Sequence, residues 1–264
     1  MLVHDRRGAG PPLVLLHGIG SRRGVWDPVV PLLAREREVV AVDLPGFGAS
    51  PPLPPGTAPT IEALADAVAA FFADAGLARP HVAGNSMGGA IALELARRGA
   101  VASAAALSPG GFWNGPERLY GVALLRLSAL TARRARPLLT RAVGSPVGRA
   151  LVLGHMVARP WRVDPAAARA DVVQLADAPG WDATLRHVSR HAFGDGAFAT
   201  AALADVPVTI GWGTRDRLLL PTQARRARRA LPRARHVPLP GCGHLPMHDD
   251  PDGVAALLLA ASAG

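Results

Sequence analysis

Short apolar runs recur along the chain, and each empties into a turn rich in glycine or proline. Leu13-Val14-Leu15-Leu16 leads into His17-Gly18-Ile19-Gly20, Val39-Val40-Ala41-Val42 into Asp43-Leu44-Pro45-Gly46, and His81-Val82-Ala83 into Gly84-Asn85-Ser86. Later, Val206 to Trp212 delivers Gly213-Thr214-Arg215-Asp216, and Ala234 to Leu239 delivers Gly241-Cys242-Gly243-His244. Runs without polar alternation are what strands covered on both faces require, so these segments are expected to be strands of a parallel sheet. Between them, Ala90 to Ala96 is a run of strong helix formers, and Pro221 to Leu231 has helical spacing. Strands alternating with helices predict an α/β fold, a mostly parallel central sheet flanked by helices. A strand-like Val101 to Leu107 is followed by nearly a hundred residues of helices and breaks, with Asp164-Pro165 marking one helix start by an N-cap and a proline.

Chemistry enters at Gly84-Asn85-Ser86-Met87-Gly88-Gly89. A serine hydroxyl is protonated near neutral pH and becomes a useful nucleophile only when it is presented openly beside a base. Glycines two before and two after Ser86 remove the side chains that would collide in a sharp turn between strand and helix. His244 is the expected base and Asp216 the expected acid that orients it, both on loops that leave strands at one sheet edge. A tetrahedral intermediate also needs fixed N–H donors for its oxyanion, and the amides of Ile19 and Met87 are assigned to that role. His17 is expected to brace its loop rather than to handle protons, and Asp43 to tie down loop amides. His236 and His248 lie near His244 but lack its glycine-flanked loop.

In this order, His17-Gly18, Asp43-x-Pro45-Gly46-x-Gly48-x-Ser50, Gly84-x-Ser86-x-Gly88-Gly89, Gly211-x-Gly213-x-x-Asp216 and Gly243-His244 resemble the α/β-hydrolase superfamily. The resemblance covers nearly the whole chain and implies the α/β-hydrolase fold, with a core of residues 1–111 and 201–264. It further implies a helical cap, residues 112–200, inserted after the family's sixth strand, where substrate choice would reside. Phe112, Trp113, Trp161 and Trp181 are the expected pocket residues, together with Leu119, Leu124, Leu125, Leu127, Leu130 and Met156. Members of the family usually open with an antiparallel hairpin. Only about a dozen residues precede Leu13, so no first strand is expected there.

Composition changes the picture little. At 264 residues the chain fits one domain with a substantial core. The net charge of +9 would ordinarily suggest a nucleic-acid partner, but every basic residue is arginine, a coding bias rather than a built surface. Arg225, Arg226, Arg228 and Arg229 are read as the solvated face of one amphipathic helix. Cys242, the single cysteine, is expected to be a small buried filler. His187 and His191 stand four apart without a third ligand nearby, so neither a metal nor another cofactor is expected. With no apolar run near the length of a membrane span and no signal-peptide pattern, a soluble cytoplasmic monomer or homodimer acting on a small molecule is expected.

These features favour a cofactor-independent serine hydrolase that cleaves a small or medium apolar ester through an acyl-enzyme. The elbow also resembles that of enzymes hydrolysing carbon-carbon bonds of vinylogous diketones, although Leu245 stands where those carry tryptophan. Haloperoxidase-like perhydrolysis is a further alternative, and a ligand-binding accessory protein that keeps the fold is the non-enzymatic one. Ser86 at the elbow excludes the chemistries that use an aspartate there.

Overall fold

The computed structural model describes residues 1–193 and 206–263. Among these, seven strands form one sheet: β1 (His4–Arg7), β2 (Pro12–Leu16), β3 (Glu38–Val42), β4 (His81–Asn85), β5 (Ser103–Leu107), β6 (Val208–Gly213) and β7 (Arg235–Leu239). Their spatial order is β1-β3-β2-β4-β5-β6-β7, and every pair except β1 with β3 is parallel. The helices are α1 (Val30–Leu33), α2 (Ile61–Asp74), α3 (Met87–Arg97), α4 (Gly115–Ala142), α5 (Pro146–Leu153), α6 (Pro165–Asp177), α7 (Trp181–Val188), α8 (Thr222–Ala230), α9 (Pro246–Asp249) and α10 (Pro251–Ala261). None of them is long and apolar enough to cross a membrane.

Successive residues of β2 serve opposite faces of the sheet. Val14 and Leu16 pack with Leu64 of α2 and Ile91 of α3, while Leu13 and Leu15 pack with Leu33 of α1 and Leu258 of α10. A sheet covered on both sides explains why its central strands read as unbroken apolar runs. Cys242 is buried in the second of these clusters. Burial pushes its thiol up to about 11, so it stays a protonated filler.

The amino-terminal segment differs from expectation. Residues His4–Arg7 do form a strand, β1, antiparallel to β3 with His4 opposite Val42 and Arg7 opposite Val39. Gly8 at φ 81° and Gly10 at φ 112° let the chain reverse between β1 and β2 within a few residues. A polar sequence and a short run hid this edge strand.

Helices α4 to α7 lie between β5 and β6. A capping box between Asn114 and Glu117 starts α4, which is kinked at Ala135, two residues before Pro137. The expected start of α6 is present, with the Asp164 carboxylate accepting from the amides of Ala166 and Ala167, both at 2.9 Å. The junction expected at residues 200 and 201 lies outside the described residues. In α8 the arginine face is not wholly solvated: Arg226 is half-buried, donates to Phe112 O at 2.6 Å and pairs with Glu117. It thereby ties α8 to the start of α4.

Two buried polar groups fix the loops at the carboxyl edge of the sheet. His17 donates from Nδ1 to Gly18 O at 2.7 Å and accepts at Nε2 from the Leu44 amide at 2.9 Å, bridging the loops after β2 and β3. Asp43 accepts from the amides of Arg23 at 2.7 Å and Ala49 at 2.9 Å, and from the Arg23 guanidinium. At the next strand, Gly88 lets α3 press onto β2, since a Cβ there would overlap the carbonyl oxygen of Leu16.

Two outcomes follow from these contacts. Burial lowers His17 and His248 to about 4, so the unfolded chain takes up protons as pH falls through about 6.5 whereas the folded chain does not until about 4. The contribution of these two histidines is therefore full above pH 7 and drops by on the order of 2–4 kcal/mol by pH 5. Urea unfolding at the two pH values measures this, and His248→Gln is expected to flatten the slope; a flat wild-type profile contradicts it. Gly88→Ala is expected to cost more than about 3 kcal/mol by backbone overlap, whereas Gly99→Ala, at φ 67° in open space, costs about 1 kcal/mol. Equal melting temperatures for the two variants would contradict the close approach.

Candidate active site

Ser86 stands between β4 and α3 at φ 56° and ψ −114°, a backbone state that costs a non-glycine residue roughly 1–3 kcal/mol. The turn is held on both sides. Its amide donates to Leu107 O at 2.9 Å, and its carbonyl accepts from the Ala90 amide at 3.0 Å and the Gly110 amide at 3.1 Å. A Cβ on Gly84 would overlap Gly88 O, and one on Gly18 would lie 3.2 Å from Ser86 Cβ. The loop after β2 therefore runs directly against the serine.

His244 and Asp216 meet below the same edge, with His244 Nδ1 at 2.8 Å from Asp216 Oδ2. The other carboxylate oxygen, Oδ1, accepts from the amides of Leu218 and Leu219, both at 2.9 Å. With both oxygens acting as acceptors, the imidazole proton resides on Nδ1, and Nε2 keeps its lone pair. Ser86 and His244 line one cavity of about 420 Å3. Neither Ser86 Oγ nor His244 Nε2 is hydrogen bonded to a described residue, so each remains available to the other and to a ligand; such contacts commonly tighten only around bound substrate.

Among the described residues, the amides of Ile19 and Met87 donate to no carbonyl, and no side chain accepts from them. Met87 opens α3, an eleven-residue helix, so its N–H is one of the unpaired donors at the positive end of the helix dipole. Ile19, Gly18 and Gly20 border the cavity. Two uncommitted donors beside a strained serine form a site that favours negative charge on a bound oxygen.

Two residues of this site escaped sequence reasoning. Asn85 donates from Nδ2 to Leu107 O at 3.1 Å and to His244 O at 2.9 Å, fastening the histidine loop to the elbow. Asp249, also buried, accepts from the amides of Gly243 at 2.8 Å, Ala158 at 3.0 Å and Arg159 at 2.7 Å. Position next to the serine was the one signal for Asn85; nothing in the spacing marked Asp249. His236 is occupied by Leu231 O at 2.9 Å and belongs to no part of the cavity.

The expected pocket is partly corrected. Trp181 lines the cavity, with Leu124, Leu125, Leu127 and Met156, but Phe112, Trp113 and Trp161 do not. Phe112 is core: it stacks on Phe193 at 4.9 Å and meets Trp212 edge-on at 6.4 Å. Trp113 packs against the same cluster, while Trp161 is 53% exposed. Leu119 and Leu130 are exposed as well. The wall instead comes from α4, α5 and α6, including Leu139, Leu151, Leu153, Val172 and Leu175, which makes it strongly apolar. Backbone contact seats this wall: Gly180 donates to Gly46 O at 3.0 Å, and a Cβ on either glycine would crowd the other.

Besides His244, two titratable groups interrupt the apolar lining. Burial pushes the Asp171 carboxyl up to about 6, against the opposing charge of Arg22. His155 is held below the usual imidazole range, first by burial and then by the nearby His244. Both border the cavity.

Comparison with known proteins places the fold. An uncharacterized protein of Mycobacterium tuberculosis is 30% identical over 258 residues, covering 92% of this chain and 73% of its own length. A pimeloyl-[acyl-carrier protein] methyl ester esterase of Aeromonas hydrophila is 45% identical over 92 residues, 35% of this chain and 34% of that one. The solved structure of a thermophilic esterase from Thermogutta terrifontis superposes with a TM-score of 0.76 at 24% identity, covering 98% of this chain and 92% of the other. The model of the alpha/beta hydrolase family matches residues 13–257, and the chain belongs to that family.

Proposed function

We propose that this protein is a cofactor-independent serine hydrolase that cleaves small or medium apolar esters through an acyl-enzyme. The observation that carries the reading is the His244–Asp216 pair at 2.8 Å, set in the same cavity as a serine held at φ 56°. Ser86 Oγ attacks the ester carbonyl while His244 Nε2 takes its proton. The amides of Ile19 and Met87 receive the oxyanion, a term for which each donor is worth about 3–4 kcal/mol of barrier. Collapse of the tetrahedral intermediate breaks the bond to the alcohol, which leaves with the proton from His244. Water then attacks the acyl-enzyme with His244 as base, and Ser86 is regenerated. Asp216 holds the imidazole tautomer and balances the imidazolium charge. The helices α4 to α7 act as a cap whose leucines shed water from the acyl chain. The methyl ester esterase of Aeromonas hydrophila supports an ester as the bond cleaved.

Purified protein is expected to turn over p-nitrophenyl butyrate, and a serine-directed phosphonate to label Ser86. Ser86→Ala and Asp216→Asn should each lower kcat by about 10^4-fold with the fold retained in circular dichroism. Undiminished turnover in Ser86→Ala would sink the proposal.

A separate expectation concerns the pocket wall. Because the Asp171 carboxyl is raised to about 6, the folded state loses stability as pH climbs from about 4 to 6, where the unfolded carboxyl has already ionised. Asp171→Asn is therefore expected to raise stability at pH 8 by on the order of 1–2 kcal/mol and to leave it unchanged at pH 4. Denaturant titrations at both pH values check this, and equal effects at the two would rule the burial cause out.

A further inference from the structure

The cavity contains, near His244, a fixed hydrogen-bond acceptor that the proposed reaction does not use. His155 follows α5 in a turn and lies 3.1 Å through Nε2 from Ser128 Oγ on α4. The Ser128 hydroxyl donates to Leu124 O at 2.9 Å. With its one proton committed there, Ser128 Oγ accepts from the imidazole, so the His155 proton sits on Nε2. Nδ1 is left as a lone-pair acceptor with no partner among the described residues, on a side chain that borders the cavity. Reduced basicity keeps this ring neutral near pH 7.

The position of His155 assigns it to one half of an ester. The Leu245 amide donates to Met156 O at 3.0 Å, and Asp249 gathers the amides of Gly243, Ala158 and Arg159. A Cβ on Gly243 would lie 2.8 Å from Ala158 N, so the segment after α5 is packed directly on the His244 loop. Asp171 belongs elsewhere. Its helix covers the loop after β2, where a Cβ on Gly20 would lie 2.8 Å from Leu175 Cδ1. His244 must reach the departing oxygen to protonate it, so the alcohol half of the ester lies on the His155 side and the acyl half extends the other way, under Val172, Leu175 and Trp181.

We propose, resting on the hydrolase reading above, that His155 recognises the leaving group: its Nδ1 accepts a hydrogen bond from a second hydroxyl on the alcohol, which directs the protein to monoesters of diols and polyols rather than of simple alkanols. Ser128 is the positioning residue that fixes the tautomer. Simple alkanols leave the Nδ1 lone pair unpaired in a largely apolar cavity, which is the source of the discrimination.

The test compares two esters with one acyl group, glycerol 1-butyrate and propyl butyrate, with p-nitrophenyl butyrate as a substrate whose leaving group has no donor. Wild type is expected to favour the glycerol ester in kcat/KM by about tenfold, the effect of one hydrogen bond. His155→Leu should bring that ratio, measured for both esters on the same variant, to about one, because only the glycerol ester loses a hydrogen bond. His155→Asn retains an acceptor and should restore part of the preference, which a merely structural role would not do. Ser128→Ala should lower it, and the comparison with His155→Asn decides the matter if His155→Leu does not fold. A wild-type ratio near one with p-nitrophenyl butyrate cleaved, or an unchanged ratio in His155→Leu, overturns the assignment of His155 alone. No turnover of any of the three esters overturns the hydrolase reading and this inference with it.

Discussion

The structure depends on how closely backbone approaches backbone at the carboxyl edge of the sheet. Gly84 and Gly88 face each other across the turn, Gly88 lies on the carbonyl of Leu16, and Gly18 passes beside Ser86. With no side chains between them, the start of α3, the end of β2 and the serine turn occupy one small volume. The strain at Ser86 is sustained because three backbone hydrogen bonds and these contacts together leave no other conformation. Uncommitted amides, a helix end and a hydroxyl meet there as a result of packing.

Around that point, buried carboxylates act mainly on main-chain amides. Asp216 binds Leu218 and Leu219, Asp249 binds three amides, and Asp43 binds two as well as Arg23. Glu94 is the exception, buried and paired with Arg97 and Arg98. Arginine pairs such as Arg133 with Asp182 and Arg136 with Asp177 lie on the surface, where screening makes them weak. Carboxylates that accept from fixed amides position loops to within a fraction of an ångström and are indifferent to salt.

What the sequence disclosed follows the reach of each contact. The parallel strands, the serine turn and the pairing of residues 216 and 244 were legible because each is written as a local run closed by glycine. Strand β1 was not, since an exposed edge strand needs no apolar run and its pairing with β3 depends on the reversal at Gly8 and Gly10. The pocket wall was the least legible part. Aromatic residues near the strand exit suggested themselves, yet Phe112 was claimed by Phe193 and Trp212, and Trp161 by solvent. Which leucine of α4 turns inward depends on the kink before Pro137 and on where α6 crosses, and neither is a local property of the sequence. Arg226 shows the same limit, because its partners Glu117 and Phe112 O lie more than a hundred residues away.

The seat of the helical insert has a consequence for how such a protein changes over generations. Its contacts with the sheet edge, Gly180 against Gly46, Met156 O against Leu245, and Asp249 against the amides of Ala158 and Arg159, involve main-chain atoms on the insert's side. Side chains add to them at a few points: Glu117 of α4 holds Arg226 of α8, the Tyr120 hydroxyl of α4 donates to Arg217 O, and Leu175 of α6 rests on the loop at Gly20. A mutation of a wall leucine away from these points therefore reshapes the cavity while the main-chain contacts that seat the insert persist. Selection for a new ligand and selection for stability act on largely separate residues, so the lineage is free to explore one without forfeiting the other.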